Sequence, residues 1–336
     1  MIKRIPLKAH LELTNRCNLN CIHCYVSSKN FCKDLATKKI KKIIDNIVDS
    51  GGLYLTLSGG ECLIRKDFKE IYLYAKTKGL FVSVLTNGTL ITKDLIKLFN
   101  LYPPRKIEIS MYGMSKNIYD KIICNKKKKN YYKKIKKTIF LLKEKNFNCE
   151  LNIILLKENI HQLELFLNFA EKNNISYNVD SKIVPSNKPG SSPLDHRISV
   201  KNYIKVKEKL YGDIKRYYNE KKNYYEKKKK NKYPINLWKC NAGLKRYNID
   251  YKGYLSFCVH SKKVKYDVLN NSIKDIWYNK IPEDLDKIIK KEYFCNECQH
   301  LPYCPVCPNW ILNENHFKNI KINCLYAKEI RNRATK

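Results

Sequence analysis

Thr14-Asn15-Arg16-Cys17-Asn18-Leu19-Asn20-Cys21-Ile22-His23-Cys24-Tyr25 places three thiols on one short loop, at the spacing C-x3-C-x2-C. A structural zinc ion takes four ligands in a tetrahedron. His23 is the only nearby candidate for a fourth, and adjacent His23 and Cys24 could hardly reach one ion together. Disulfides need an oxidising compartment, and the run Met1-Ile2-Lys3-Arg4-Ile5-Pro6-Leu7-Lys8 has no apolar segment of a secretion signal. An iron–sulfur group suits the loop better. A 4Fe-4S cluster that only carries electrons takes four cysteines. Three leave one iron with an open position, which is where metal chemistry takes place.

The rest of the composition is consistent with that reading. Fourteen cysteines in 336 residues, without a secretion signal, point to metal or redox chemistry in a cytoplasmic protein. No stretch approaches the roughly 18 apolar residues of a membrane span, so no membrane is expected. The hydrophobic fraction of 43% is that of a globular protein. The formal net charge of +36 is exceptional and would attract nucleic acid, anionic lipid or an acidic peptide. Much of the lysine falls on the polar side of amphipathic segments, and Lys, Asn, Ile and Tyr all have AT-rich codons. We therefore ascribe most of the excess to base-composition drift. No nucleic-acid recognition motif accompanies the charge, so nucleic acid is not expected as a partner.

Outward from the loop, strand-like and helix-like segments alternate. Short apolar runs predict strands at about Lys8–Leu13, Leu53–Leu57, Leu80–Leu85, Lys106–Ser110, Cys149–Leu155 and Ser176–Ile183. Helices are expected from Lys38 to Asp49, where Ile40, Ile43, Ile44, Ile47 and Val48 share a face, and from an Asp67 N-cap to Gly79. Others are expected at Lys93–Phe99 behind Thr92, at Tyr131–Lys145 and at Ile160–Asn173. Lys126–Lys129 reads as a loop, and Lys201–Tyr233 as a helical bridge with a solvated end. Six βα units imply a parallel sheet wrapped by helices, two units short of a closed barrel and hence open along one side. In such barrels the active site forms at the C-terminal ends of the strands. The cysteine loop follows the first strand, Ser58-Gly59-Gly60-Glu61 the second and Thr86-Asn87-Gly88 the third, while Ser110 ends the fourth. Alone, Gly59-Gly60 reads as a tight turn and Asn87-Gly88 as a type I′ turn. Together they share one rim with the three thiols.

The loop spacing resembles the cluster loop of the radical S-adenosylmethionine (SAM) enzymes. That resemblance implies that Cys17, Cys21 and Cys24 hold a 4Fe-4S cluster whose free iron chelates the methionine moiety of SAM. It further implies that Gly59, Gly60 and Glu61 form the turn receiving the methionine ammonium, with Asn87 and Ser110 contacting the ribose. The family usually has proline where this chain has Cys62, which we read as a packing choice. From Cys240 the pattern changes: twelve residues, Gly253, four residues, Cys258, then Cys295-x2-Cys298-x5-Cys304-x2-Cys307 and a last Cys324. Residues Tyr247–Cys258 read as a hairpin turning at Lys252-Gly253. The region resembles the SPASM extension of radical SAM enzymes, with one residue fewer between Cys304 and Cys307. By that resemblance Cys295, Cys298, Cys304 and Cys324 bind one auxiliary 4Fe-4S cluster, and Cys240, Cys258 and Cys307 a second with no evident fourth ligand. Standing alone, the paired Cys-x2-Cys units would suit zinc equally. Cys32, Cys124 and Cys149 match no cluster pattern.

The expected organisation is a partial (β/α)6 barrel over residues 1–199, a helical bridge over 200–236 and a small cysteine-rich iron–sulfur domain over 237–336. The resemblance implies a peptide-maturing enzyme in which a 5′-deoxyadenosyl radical abstracts hydrogen from a precursor peptide, forming a thioether or carbon–carbon crosslink. Its expected partners are an acidic precursor peptide and an electron donor such as flavodoxin or ferredoxin. The first strand, expected by about Lys8, leaves leader capture to a separate leader-binding protein or to the lysine surfaces. The alternatives are an anaerobic sulfatase-maturating enzyme, a peptide epimerase and, from another class, a non-catalytic metal-binding nucleic-acid protein.

Overall fold

A computed structural model describes residues 4–26, 33–124, 129–184, 193–229, 241–261, 264–284, 287, 298, 300, 303–304, 307 and 320–335. Six parallel strands run in chain order: β1 (Lys8–Glu12), β2 (Tyr54–Ser58), β3 (Phe81–Thr86), β4 (Lys106–Ser110), β5 (Cys149–Ile154) and β6 (Ser176–Asp180). Between them lie α1 (Thr37–Asp49), α2 (Phe68–Thr77), α3 (Lys93–Leu101), α4 (Lys116–Ile122), α5 (Tyr131–Glu144) and α6 (Leu163–Lys172). These are the six expected βα units, with ends shifted by a residue or a few; α4 was not foreseen.

The helix ends show why. Thr92 caps α3 by accepting from Leu95 N–H, and left-handed Gly79 follows α2 as its C′ residue. Asp67 stands at the start of α2 but makes no cap hydrogen bond. Arg65 and the Thr37 hydroxyl already occupy its carboxylate.

Each strand has two unlike faces. Ala9 and Leu11 of β1 join Ile40, Ile43, Ile44 and Ile47 of α1 in the main core. Because strand side chains alternate, His10 and Glu12 face the other way. The same alternation puts Lys106, Glu108 and Ser110 of β4 beside Glu150 and Asn152 of β5. There Lys106 Nζ lies 3.3 Å from Glu108 and 3.0 Å from Glu150. The inner face of the sheet is therefore polar, whereas a parallel sheet covered on both sides is apolar on both.

The hairpin expected at Tyr247–Cys258 forms as β7 (Arg246–Ile249) and β8 (Tyr254–Ser256), turning through left-handed Gly253. Its position is new information. β7 pairs in parallel with β1, and β9 (Tyr266–Asp267) completes a nine-stranded sheet in the order β6-β5-β4-β3-β2-β1-β7-β8-β9. The bridge forms α7 (Val200–Tyr211) and α8 (Ile214–Lys229). The C-terminal helix, Ile320–Thr335, clasps α7 through edge-to-face Tyr203 and Tyr326 rings and an Arg333–Glu208 ion pair at 2.8 Å. Among the described residues no helix is long and apolar enough to cross a membrane.

Candidate active site

The cysteine loop is locked at both ends. At its start, the Thr14 hydroxyl accepts from Arg16 N–H and donates to Asp34, which also pairs with the Arg16 guanidinium. Buried Arg65 donates to the carbonyls of Leu13 and Leu35, at 3.0 and 2.9 Å. At its far end, Ile22 N–H donates to Ile122 O at 2.9 Å, and the Ile22 side chain packs on Ile122, Leu156 and Ile183.

The Gly-Gly-Glu turn dovetails into this loop. Gly60 N–H donates to Thr14 O at 2.8 Å and Glu61 N–H to Arg16 O at 2.9 Å. A Cβ on Gly59 would lie 2.3 Å from Thr14 O, and one on Gly60 2.4 Å from Arg16 O. Glycine is thus required for the turn to rest against the backbone that carries the thiols.

Glu61 is fully buried, yet its carboxylate is well supplied. Oε1 accepts from Leu63 N–H at 3.1 Å and Thr86 Oγ1 at 2.8 Å, and Oε2 from Asn87 N–H at 2.7 Å. Burial raises its pKa, and these donors oppose the rise. The side chain joins the end of β2 to the end of β3. Asn87 is not left-handed, so its turn is not type I′; instead Thr89 N–H closes an Asx turn onto Asn87 Oδ1. Ser110 ends β4 on the same rim, two residues before Tyr112.

Tyr112, absent from the sequence-based site, is half-buried beside the loop. It lies close enough to Cys21 for the two groups to influence each other's charge, and its ring lies 5.2 Å from that of His23. Only its position two residues past Ser110 could have signalled it. Burial holds the His23 imidazole down to about 4 and its Nδ1 has no partner.

The three thiols lie close enough to act on one another. Burial pushes Cys17 up to about 11, with Glu61 and Cys24 adding to the rise, and Cys21 well above its usual range, with Cys24 and Cys17 adding. The groups acting most strongly on them include no Lys or Arg. Thiolates gathered in such a place need a cation, so the donor set fits an iron–sulfur group. Among the described residues no three His, Cys, Asp or Glu side chains converge as a single metal ion would require. Cys62 is buried in the core, its thiol facing Leu85 O.

Of the C-terminal cysteines, Cys240 and Cys295 lie outside the described residues. Cys258 follows β8 and acts on Tyr25, the residue after Cys24; the Tyr25 ring meets that of His260 at 5.7 Å. Cys298, Cys304 and Cys307 pack against the main core. Cys324 is exposed on the C-terminal helix, close enough to Cys298 to feel its charge. Between the two cysteine regions lies Glu12. Burial pushes its carboxyl up to about 8, Asp250 adds to the rise, and Lys265 opposes it.

Residues 11–170 match the family model of the radical SAM superfamily. The subtilosin biosynthesis protein AlbA of Bacillus subtilis is 32% identical over 161 residues, 47% of this chain and 35% of that protein. The Fe-coproporphyrin III synthase of Methanosarcina barkeri is 37% identical over 106 residues, 31% of this chain and 25% of that protein. The matches span less than half of these relatives' own length. Among solved structures, anSMEcpe with bound AdoMet is superposable with a TM-score of 0.72 at 16% identity, over 98% of this chain and 97% of that one. That likeness is one of fold. The family match implies a 4Fe-4S cluster and SAM.

Proposed function

We propose, from the premise that residues 11–170 form a radical SAM domain, that this protein is an enzyme that modifies a ribosomally made precursor peptide, forming a thioether or carbon–carbon crosslink. One observation carries the reading: the three-thiol loop and the Gly-Gly-Glu turn interlock at the C-terminal rim of an open parallel sheet with a polar inner face. Cys17, Cys21 and Cys24 would hold the cluster. Gly59, Gly60 and Glu61 would shape the seat for the methionine end of SAM, and Ser110 would reach the ribose. SAM bound at the cluster supplies a radical able to take hydrogen from an unactivated carbon. The chain's own share is to hold the reactants in register and to exclude water around them. Likeness to AlbA favours a peptide over a metabolite, and an incomplete barrel leaves room for a threaded chain.

In the same reading, residues 237–336 are an auxiliary-cluster domain that would accept the electron released when a crosslink forms, with residues 200–236 bridging to it. Cys295, Cys298, Cys304 and Cys324 would hold one cluster and Cys240, Cys258 and Cys307 the other. A flavodoxin or ferredoxin would supply the reducing electron in the cytoplasm. The positive surface would favour an acidic leader, captured with or without a separate leader-binding protein.

The test is the mass of a candidate precursor, encoded beside the gene, after anaerobic co-expression in ordinary and heavy water. Loss of two hydrogens supports the crosslink. Unchanged mass with one deuterium gained would mean epimerisation instead. No change in either solvent would turn the reading toward sulfatase maturation or a small molecule.

A further inference from the structure

The amide of Asn87 is fully used by the chain itself. A primary amide offers two N–H donors and two acceptor positions. Asn87 Oδ1 accepts from Thr89 N–H at 2.9 Å and from Thr89 Oγ1 at 2.6 Å. Asn87 Nδ2 donates to Asn18 Oδ1 at 2.9 Å and to Cys17 Sγ at 3.9 Å. Asn18 Nδ2 closes the ring by donating to Thr89 Oγ1 at 2.8 Å. Asn87 is 5% exposed and Thr89 fully buried. A ribose contact would have to displace one of these bonds. The Cys17 sulfur, meanwhile, receives two N–H groups, from Asn87 and from Leu19 at 3.4 Å.

We propose that Asn87 is a positioning residue that tunes the cluster through Cys17, not a ribose contact. Hydrogen bonds to ligand sulfurs set the potential of iron–sulfur groups, and outer partners fix the orientation of ligands. An N–H dipole aimed at the Cys17 sulfur stabilises the electron-rich reduced state. The Asn18–Thr89–Asn87 ring, held on the β3 end by Glu61, keeps that dipole aimed. The inference rests on Cys17 being a cluster ligand.

The experiment uses the full chain, reconstituted anaerobically and reduced without SAM. In wild-type protein labelled with 15N-asparagine, pulsed EPR of the reduced cluster should show a nitrogen coupling that Asn87→Leu removes. Asn87→Leu should keep its iron content and show a more negative midpoint potential. Asn87→Asp, which keeps the Thr89 acceptors and loses the Cys17 donor, serves if the leucine variant fails to fold, and should shift the same way. Thr89→Val should give a smaller shift, because it loosens the ring without removing the donor. An unchanged SAM-free potential together with weaker SAM binding would overturn the proposal in favour of a ribose role. Absence of the asparagine coupling from wild type would also overturn it. Wild-type protein that assembles no cluster at the Cys17 loop would remove the proposal and the functional reading together.

Discussion

The two cysteine regions are built in opposite ways. Cys17, Cys21 and Cys24 share eight residues of chain, and the loop is fixed by bonds to Asp34, Arg65, Gly60, Asn87 and Ile122. The described C-terminal cysteines come from a strand end, a loop and a helix: Cys258, Cys298, Cys304, Cys307 and Cys324. The first region is held by hydrogen bonds from the chain itself. In the second, cysteines far apart in sequence would have to be gathered to hold the proposed auxiliary clusters, and metal binding would contribute to that gathering. Under the proposed function this difference is a division of labour, in which the front site would set geometry for chemistry and the rear cysteines would hold electron-carrying clusters.

The comparison can be broken most directly at the front. Cys17→Ala should abolish reductive SAM cleavage, read as 5′-deoxyadenosine, while iron held by the rear region remains; retained cleavage would sink the assignment. At the rear, Cys324→Ala should lower iron content and stop crosslinking yet leave SAM cleavage in place. Loss of cleavage as well would show that the regions are not independent.

The seam between them offers a pH test. The Glu12 carboxyl is raised from an ordinary 4.5 to about 8, chiefly by burial and then by Asp250, against Lys265. A raised folded-state value contributes stability in full below the unfolded value, and that contribution is lost as pH rises through the folded value. Wild-type protein should therefore lose stability between about pH 4.5 and pH 8, by at most about 5 kcal/mol. Glu12→Gln should flatten that slope in urea titrations at fixed pH values; equal slopes would show that Glu12 ionises as freely when folded as when unfolded. The smallest effect expected is that of Gly60→Ala, about 1–3 kcal/mol from forcing a methyl against Arg16 O. It should appear as a lower thermal midpoint and weaker cluster retention, and an unchanged midpoint would mean that the turn can shift at little cost.

Much of the front region was legible in the sequence because its signals are local. Strand length, apolar runs and the short links placed all six βα units; spacing singled out the thiols, and position on the same rim together with a family resemblance singled out the Gly-Gly-Glu turn. What stayed hidden depends on partners distant in sequence. The apolar runs of β4 and β5 concealed the alternating Lys106, Glu108, Glu150 and Asn152, which form the polar inner face. The close fit of Gly59 and Gly60 against the Thr14 and Arg16 backbone depends on a segment more than 40 residues earlier, which no local signal carries. Asp67 was expected to cap α2, but Arg65 and Thr37 compete for the same carboxylate more effectively. Nothing in Arg246–Ile249 announces that this strand pairs with β1, because parallel pairing leaves no turn between the partners.

That last pairing bears on how the protein is made. Lys8 and Arg246 are register partners, so β1 is flanked on one side by β2, the next strand in the chain, and on the other by one synthesised much later. While the ribosome is still building the intervening helices, one edge of β1 stays open, and open edges invite pairing with other chains. Contacts so distant in sequence form slowly. The cysteine loop is thus translated well before the strand that covers the open edge of β1.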